Sequence, residues 1–306
     1  MQQKKRYAKF LYLIGALGVL YLGASFILAR LYMNPVRKNS KAPPTGLEDT
    51  HITGPGYQLP SWVSSGILAK KPVSDTVFIL VHGYQGSRDG WRHLAQRLVQ
   101  HHQEVIVPVL ISHETSPMNG CTFGKHEAKE VLAAARWART QHTGPLHIVL
   151  VGKSMGGSAA WHAATIDPTI DAVVSDSAFA RFDEASQSWM KKVFWKADIL
   201  LQPMYWMADQ FYHLKVKDIN PVEKATNWKG RPALIIHGDQ DTLIDLSHAT
   251  RLAEAAGCPL WIVKGAGHGE CSTKSLDLYV TKLLKIAEDA KKRKSLSIAQ
   301  LHPSEG

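Results

Sequence analysis

The feature that most constrains this fold is a five-residue run, 152–156, which reads G-K-S-M-G. An apolar, β-rich run over 146–151 precedes it, and a stretch typical of a helix follows it over 157–164. A strand that turns sharply into a helix lifts the central side chain out of the sheet, so the hydroxyl of Ser154 is predicted to be presented at the turn. The turn leaves no room for a Cβ atom at positions 152 and 156, which explains the glycine at both.

Apolar runs alternate with helical patterns along the rest of the chain. This alternation predicts an α/β fold, a mostly parallel sheet with helices on both faces. Continuous apolar runs such as 77–81 suit strands that are covered on both sides. Strands are predicted over 76–81, 104–110, 146–151, 172–175, 233–236 and 260–263, with one or two more within 57–69. Helices are predicted near 89–101, 125–141, 155–166, 246–256 and 275–292.

The N-terminal part contains an uncharged run of twenty residues from Phe10 to Ala29. At about 1.5 Å per residue, such a helix crosses the ~30 Å hydrocarbon core of a membrane. We interpret it as an uncleaved signal anchor, a transmembrane helix. A cleaved signal peptide is the main alternative, although the small residues 23–25 lie inside the run. Basic residues on both sides nearly cancel, and the short basic N-terminus favours a folded domain on the extracytoplasmic side.

The net charge of +10 is concentrated at the chain ends. Residues 1–41 hold eight basic and no acidic side chains, and residues 291–306 hold four basic and one acidic. The part between them is nearly neutral, which argues against a nucleic-acid partner. The predicted organisation is a membrane anchor over 1–33, a Pro- and Gly-rich linker over 34–60, a folded domain over 61–295 and a C-terminal tail over 296–306.

The three cysteines, Cys121, Cys258 and Cys271, do not form a disulfide framework. Their spacing fits no zinc motif either. Three unpaired thiols and no metal site are therefore expected, although a single bridge remains an alternative.

A serine hydroxyl becomes an effective nucleophile when a base takes its proton and a carboxylate orients that base. His268 lies between two glycines after the last predicted strand, a position suited to presenting the imidazole. Asp241 follows the strand predicted over 233–236, with Asp239 and Asp245 as alternative acids. The order serine, acid, histidine is the one expected for a G-x-S-x-G turn. Ser154, Asp241 and His268 are the predicted catalytic residues.

Acyl transfer also needs donors for the oxyanion that forms on the substrate carbonyl. One predicted donor is the backbone N–H of Met155, directly after Ser154. The other is the backbone N–H of Tyr84, in the loop after the first clear strand, where Gly83 allows a close approach. His82 is expected to support this loop by hydrogen bonding rather than to act as a base.

The interval 181–230 is too long for a simple crossover and is rich in aromatic residues and methionine. We predict a short helical cap with an apolar lining, in which Trp189, Trp195 and Trp206 are candidate substrate-binding residues. An ordinary pair of packing helices is the alternative.

Taken together, these motifs resemble those of the α/β-hydrolase superfamily, most closely its serine-aminopeptidase-like and monoacylglycerol-lipase-like branch. The similar segments lie within 72–290: 82–83, 152–157, 237–241 and 265–268. The resemblance implies an α/β-hydrolase fold and hydrolysis through an acyl-enzyme without a cofactor, with Ser154 as nucleophile, Asp241 as acid and His268 as base. The chain departs from many relatives at 111–117 and at 243–245, two segments outside the predicted triad.

The predicted function is that of a carboxylic ester hydrolase acting on a small-molecule acyl ester. A thioesterase or an amidase or aminopeptidase would use the same residues and remains an alternative. A non-catalytic, membrane-anchored binding module on the same fold is the alternative of another class. A phosphate-binding loop is disfavoured because position 147, where that motif needs glycine, is a histidine.

Overall fold

The computed structural model describes residues 2–193 and 198–301. Eight strands form one sheet: β1 Leu47–Thr53, β2 Gln58–Ser64, β3 Thr76–Val81, β4 Glu104–Pro108, β5 His147–Lys153, β6 Ala172–Asp176, β7 Ala233–Gly238 and β8 Leu260–Val263. The helices are α1 Gln2–Met33, α2 Ser65–Leu68, α3 Arg92–Gln100, α4 Ala128–Gln141, α5 Met155–Ile166, α6 Phe182–Val193, α7 Asp198–Tyr212, α8 Pro221–Thr226, α9 Leu246–Ala256, α10 Cys271–Lys274 and α11 Leu276–Leu301.

The sheet has the order β1-β2-β4-β3-β5-β6-β7-β8. β2 is antiparallel to both β1 and β4, and all later neighbours are parallel. The carboxyl ends of β5, β6 and β7 therefore meet at one edge, where open α/β sheets place their ligands.

The central parallel strand β3 is apolar from Val77 to Val81 because both of its faces are covered. Val77 and Ile79 of β3 pack into a core with α4 and α5, whereas Phe78 and Leu80 pack into a second core with α3 and α11. The strands predicted from 76 onward are confirmed, with ends that differ by at most two residues.

The predicted linker over 34–60 differs from the structure, since β1 and the start of β2 lie inside it. β1 is an edge strand that pairs with β2 alone, and only Leu47 and Ile52 of it are buried. A half-exposed edge strand contains few apolar residues, which explains why the composition of 34–60 is typical of a linker.

The interval between β6 and β7 contains two different parts. α6 and α7 form a helical pair, with residues 194–197 between them outside the described range. α8 instead packs beside α5 and α9 in the layer that covers the sheet. The predicted cap over 181–230 is thus shorter than expected. The predicted tail from 296 begins inside a helix, because α11 continues to Leu301.

The N-terminal helix α1 is long and apolar enough to cross a membrane, with a mean hydropathy of 2.1 over its most apolar window and 6% of that window buried. A signal sequence would share these properties. Its last turns, from Tyr21 onward, pack against the cap helices α6 and α7, where Ala29 joins a buried cluster with Met190, Leu201, Met204 and Met207. The end of α1 therefore belongs to the folded domain.

Candidate active site

Ser154 stands at the turn between β5 and α5 with φ 53° and ψ −119°. A positive φ is unusual for a residue with a side chain. It strains the backbone, and such strain is often found at functional turns. The backbone N–H of Ser154 donates to the carbonyl oxygen of Asp176 at 2.8 Å, which ties the turn to β6. A Cβ atom on Gly156 would lie 2.6 Å from the carbonyl oxygen of His82, and one on Gly152 would collide with the backbone of Gly156.

The three residues predicted to act together lie in one chain of contacts. The Nε2 atom of His268 is 3.0 Å from Oγ of Ser154. The Nδ1 atom of the same ring is 2.8 Å from Oδ2 of Asp241. This is the geometry in which a histidine takes the proton of a serine hydroxyl while a carboxylate holds its ring.

Asp241 is held as an ionised acceptor. Its Oδ1 atom accepts the backbone N–H groups of Leu243 and Ile244, both at 2.9 Å, and its side chain is fully buried. Burial alone would raise the pKa of this carboxyl, but the hydrogen bond and charge of His268, with help from Ile244, lower the pKa below its ordinary 3.8. A carboxylate fixed in this way holds the imidazole in one orientation.

The two alternative acids have other partners. Asp239 accepts the backbone N–H of Gly265 at 2.6 Å, which joins two loops. Asp245 caps the N-terminus of α9 by accepting the N–H of Ser247 at 2.9 Å. Of the three candidates, Asp241 is the one in contact with His268.

A buried polar network supports the loop that carries His268, and sequence analysis missed it. The N–H of Gly269 donates to Oγ of Ser177 at 3.2 Å, and this hydroxyl donates to Oδ1 of Asp176 at 2.9 Å. The hydroxyl of Tyr279 donates to the other oxygen of Asp176 at 3.2 Å. Because Asp176 also accepts from Ser154 through its carbonyl, one residue links the nucleophile turn and the histidine loop.

The backbone N–H groups of Tyr84 and Met155 have no acceptor among the described residues. Gly83 brings the first of these loops against the nucleophile, because a Cβ atom at position 83 would lie 3.2 Å from Cβ of Ser154. Free N–H groups beside a presented serine are the elements from which an oxyanion hole is built. Their role as donors remains a prediction.

Two neutral histidines hold the Tyr84 loop. His82 donates from Nδ1 to the carbonyl oxygen of Gly83 at 2.9 Å and accepts the N–H of Leu110 at 3.1 Å. His113 accepts the N–H of Gln85 at 3.2 Å. Burial lowers the pKa of His82 to about 4, and burial together with the neighbouring His82 lowers the pKa of His113 to about 4. The supporting role predicted for His82 agrees with these contacts, whereas His113 was not singled out from the sequence.

Ser154 lines one cavity, and an apolar crevice lies between the end of α1 and the cap. The cavity, of about 160 Å³, is also lined by His268, Gly269, Trp91 and Lys153 among others. The crevice has a volume of about 30 Å³. Its walls include Ala29, Tyr32, Phe123, Phe182, Met204 and Tyr205. Phe123, which lines the crevice, also packs against Tyr84, which lines the larger cavity, with ring centroids 5.1 Å apart.

The three cap tryptophans have different positions. Trp189 donates from Nε1 to the carbonyl oxygen of Leu243 at 3.0 Å, which connects the cap to the acid loop. Trp206 is 58% exposed and, like Trp189, lines neither of the two cavities, and the substrate contact predicted for these residues stays a prediction. Aromatic composition alone could not distinguish an outward position on α7 from an inward one. Trp195 lies outside the described residues.

All three cysteines are free, Cys121 and Cys271 buried and Cys258 half-buried. Within 2–193 and 198–301, the structure contains no cluster of His, Cys, Asp or Glu side chains arranged to hold a metal ion.

Comparison with known proteins identifies the fold. Residues 76–204 match the family described as alpha/beta hydrolase fold. The esterase Pf2001 of Pyrococcus furiosus superposes with a TM-score of 0.66 at 20% identity, over 83% of this chain and 98% of the esterase. The meta-cleavage product hydrolase of Pseudomonas fluorescens gives a TM-score of 0.57 at 18% identity, over 79% and 98% of the two chains. No curated protein matches the sequence.

A membrane phospholipase A, described as a bacterial virulence factor, superposes with a TM-score of 0.58 at 16% identity, over 94% of this chain and 99% of the phospholipase. Residues 34–306 make up less than 94% of the chain, so the superposition on the phospholipase must include part of α1. At such identities these likenesses show the fold. With the family match over 76–204 and the strand order, they show that the chain has the fold of the α/β-hydrolase superfamily. The branch within it remains a prediction.

Proposed function

We propose that this protein is a membrane-tethered serine hydrolase that cleaves an acyl ester through an acyl-enzyme. The observation that carries the proposal is the unbroken set of contacts from Ser154 through His268 to Asp241. The structural neighbours, which include an esterase and a phospholipase, support a hydrolase of this kind.

In this mechanism, His268 takes the proton of Ser154 as Oγ attacks the substrate carbonyl. The negative charge that develops on the carbonyl oxygen is stabilised by the N–H groups of Tyr84 and Met155. His268 then donates its proton to the leaving alcohol, which departs and leaves an ester on Ser154. A water molecule, activated by the same ring, releases the acid and restores the serine. Asp241 stabilises the imidazolium in both steps and itself stays ionised.

The ester specificity is supported by the surroundings of the site. The crevice beside the cap has an almost entirely apolar lining, which suits a hydrocarbon rather than a charged group, and its volume of about 30 Å³ holds only a short one in this conformation. The apolar helix α1 ends at this crevice, so its last turns keep the site close to the surface of the membrane that α1 is proposed to span. A thioesterase or an amidase would share the nucleophile and base, and the contacts around Ser154 do not separate these reactions.

The direct test is turnover of a panel of p-nitrophenyl esters with chains of two to twelve carbons, matched thioesters and aminoacyl amides. We expect the esters to be hydrolysed with a preference for apolar acyl groups, and Ser154→Ala to abolish turnover. Ser158→Ala, in the same α5 helix and buried, is a matched control that should retain it. Hydrolysis of charged peptide amides alone would contradict the ester assignment. The absence of all turnover in a folded protein would favour the binding module.

A further inference from the structure

Lys153 directly precedes the nucleophile, and its side chain runs along the loop that carries His268. A Cβ atom on Gly269 would lie 3.0 Å from Cδ of Lys153, so the lysine stem packs against the residue that follows the histidine. Lys153 also lines the cavity that contains Ser154 and His268. A positive charge therefore stands in the same cavity as the proposed nucleophile.

The ammonium of Lys153 has only weak partners. Its Nζ atom is 3.4 Å from the carbonyl oxygen of Gly90 and 3.4 Å from Oγ of Ser272, both long for a hydrogen bond. It also lies 4.3 Å from the ring centre of Trp91. Across the described residues, no carboxylate oxygen lies within the 4.0 Å of an ion pair with this atom.

In this environment the ammonium of Lys153 loses part of its hydration and gains no close counter-ion. Burial lowers the pKa of Lys153, and the more distant Asp176 and Cys271 only partly oppose the effect. A lysine carries three N–H donors, and a partly desolvated one is stabilised when an anion accepts from it.

The position of Lys153 also indicates which part of an ester it would meet. The proton from Nε2 of His268 goes to the leaving oxygen, so the alcohol half of the substrate lies beside His268 and Gly269. Trp91, under the lysine, belongs to the core on the α3 and α11 face of the sheet. Phe123 and Phe182, which line the apolar crevice, belong to the core on the other face. The two halves of an ester would thus meet different surroundings, apolar for the acyl chain and cationic for the alcohol.

We propose that Lys153 is a specificity-determining residue that binds an anionic group, a carboxylate or a phosphate, on the alcohol half of the ester. The inference rests on the proposed function and narrows its substrate class to esters with an apolar acyl chain and an acidic alcohol. The alternative is that Lys153 only braces the loops at Gly90 and Ser272.

The experiment uses the full chain and four octanoyl esters that share one acyl group. Octanoyl glycerol 3-phosphate is paired with octanoyl glycerol, and the octanoyl ester of glycolate is paired with that of ethylene glycol. The readout is the ratio of kcat/KM for the anionic to the neutral ester in each pair. We expect a ratio of about ten or more in the natural protein for at least one pair, equivalent to ~1.4 kcal/mol, mainly through a lower KM. Added salt should reduce it.

The variants separate charge recognition from bracing. Lys153→Met should bring the ratio to about one or below, whereas Lys153→Arg should keep the anionic ester preferred. Lys282→Met is the matched control, because Lys282 also lies over a tryptophan, with Nζ 5.0 Å from the ring of Trp261. The control should leave the ratio unchanged.

The outcomes distinguish this inference from the proposed function. If neutral esters are hydrolysed but neither anionic ester is preferred, the anion site is wrong and the hydrolase stands. The same conclusion follows if Lys153→Met lowers kcat/KM by the same factor for all four esters, as loss of a purely structural contact would. If none of the four is hydrolysed, the proposed ester hydrolase itself fails. A preference in one pair alone identifies the anion as phosphate or carboxylate.

Discussion

The hydroxyl of Tyr84 lies 3.5 Å from the carbonyl oxygen of Leu31, so the loop of the proposed oxyanion donor contacts the last turn of the N-terminal helix. A second link runs from the same helix end. The N–H of Cys121 donates to the carbonyl oxygen of Met33 at 2.6 Å, and Sγ of Cys121 is 3.2 Å from Sδ of Met155. Both proposed oxyanion residues are therefore supported by the end of α1.

These contacts predict that two truncations behave differently. Removing residues 1–41 uncovers the cluster around Ala29 and Met204, and we expect Tm to fall by at least about 5 °C, since losing ~2 kcal/mol has that effect in a domain of this size. Turnover of a short, soluble ester should fall as well. Removing only residues 1–20 keeps the docked turns and should leave both quantities close to those of the whole protein. Equal activity in the two truncated proteins would show that α1 is only a tether.

Acid should destabilise the fold through its buried histidines. The pKa values of His82, His113 and His162 are all lowered to about 4, chiefly by burial, from an ordinary value of 6.5. Between pH 4 and 6.5 the unfolded chain binds protons that the folded chain does not. Stability is thus complete above pH 6.5 and is lost as the pH falls towards 4, by on the order of 3 kcal/mol for each independent histidine. Urea unfolding at a series of pH values measures this loss.

His113→Gln tests the assignment, because an amide can still accept from Gln85 but does not titrate. We expect the free energy of unfolding to depend less steeply on pH between 4 and 6.5 in this variant, by up to one proton. The matched control, His93→Gln, changes an exposed histidine and should keep the original slope. An unchanged slope in the His113 variant would mean that this ring is already protonated in the folded protein.

The role of the acid can be isolated with two asparagine variants. Asp241→Asn should lower kcat by about 10⁴, because the amide cannot stabilise the imidazolium and favours the wrong tautomer of His268. Asp239→Asn keeps a carbonyl oxygen for the N–H of Gly265, so its kcat should stay within a few-fold of the original. Steady-state kinetics on one p-nitrophenyl ester suffices. If kcat fell further in Asp239→Asn than in Asp241→Asn, Asp239 rather than Asp241 would be the acid of the triad.

The network below the histidine loop should contribute to stability. Tyr279→Phe removes the hydroxyl that donates to the buried Asp176 and leaves that carboxylate short of a partner. The expected cost is about 1–3 kcal/mol in the free energy of unfolding, measured by urea denaturation. A change below about 0.5 kcal/mol would mean that Ser177 satisfies the carboxylate alone.

Local sequence signals predicted the elements that depend on local chemistry. The central parallel strands, such as β3 and β5, are mostly apolar because both of their faces are buried, and helices such as α5 and α9 follow strands at the expected distance. The turn at Ser154 was readable because glycine is the only residue that its backbone accommodates at 152 and 156.

The parts that were missed depend on contacts between distant segments. β1 is polar and joins the sheet only through β2. The support of His268 comes from Asp176 and Tyr279, about one hundred residues apart in the chain. α1 and the cap helix α7 pack against each other through apolar side chains. From the sequence, each segment is hydrophobic, but nothing indicates that the two are partners. No local pattern shows which distant partner such a residue finds.

Activation of Ser154 as a nucleophile by His268 and Asp241 can be measured by mapping a fluorophosphonate adduct on the whole protein by peptide mass spectrometry. We expect a single adduct on Ser154, formed at least about 10²-fold more slowly in His268→Ala, since general-base assistance is worth that much. An adduct on a different residue, or labelling of Ser154 at an undiminished rate without the imidazole, would contradict it.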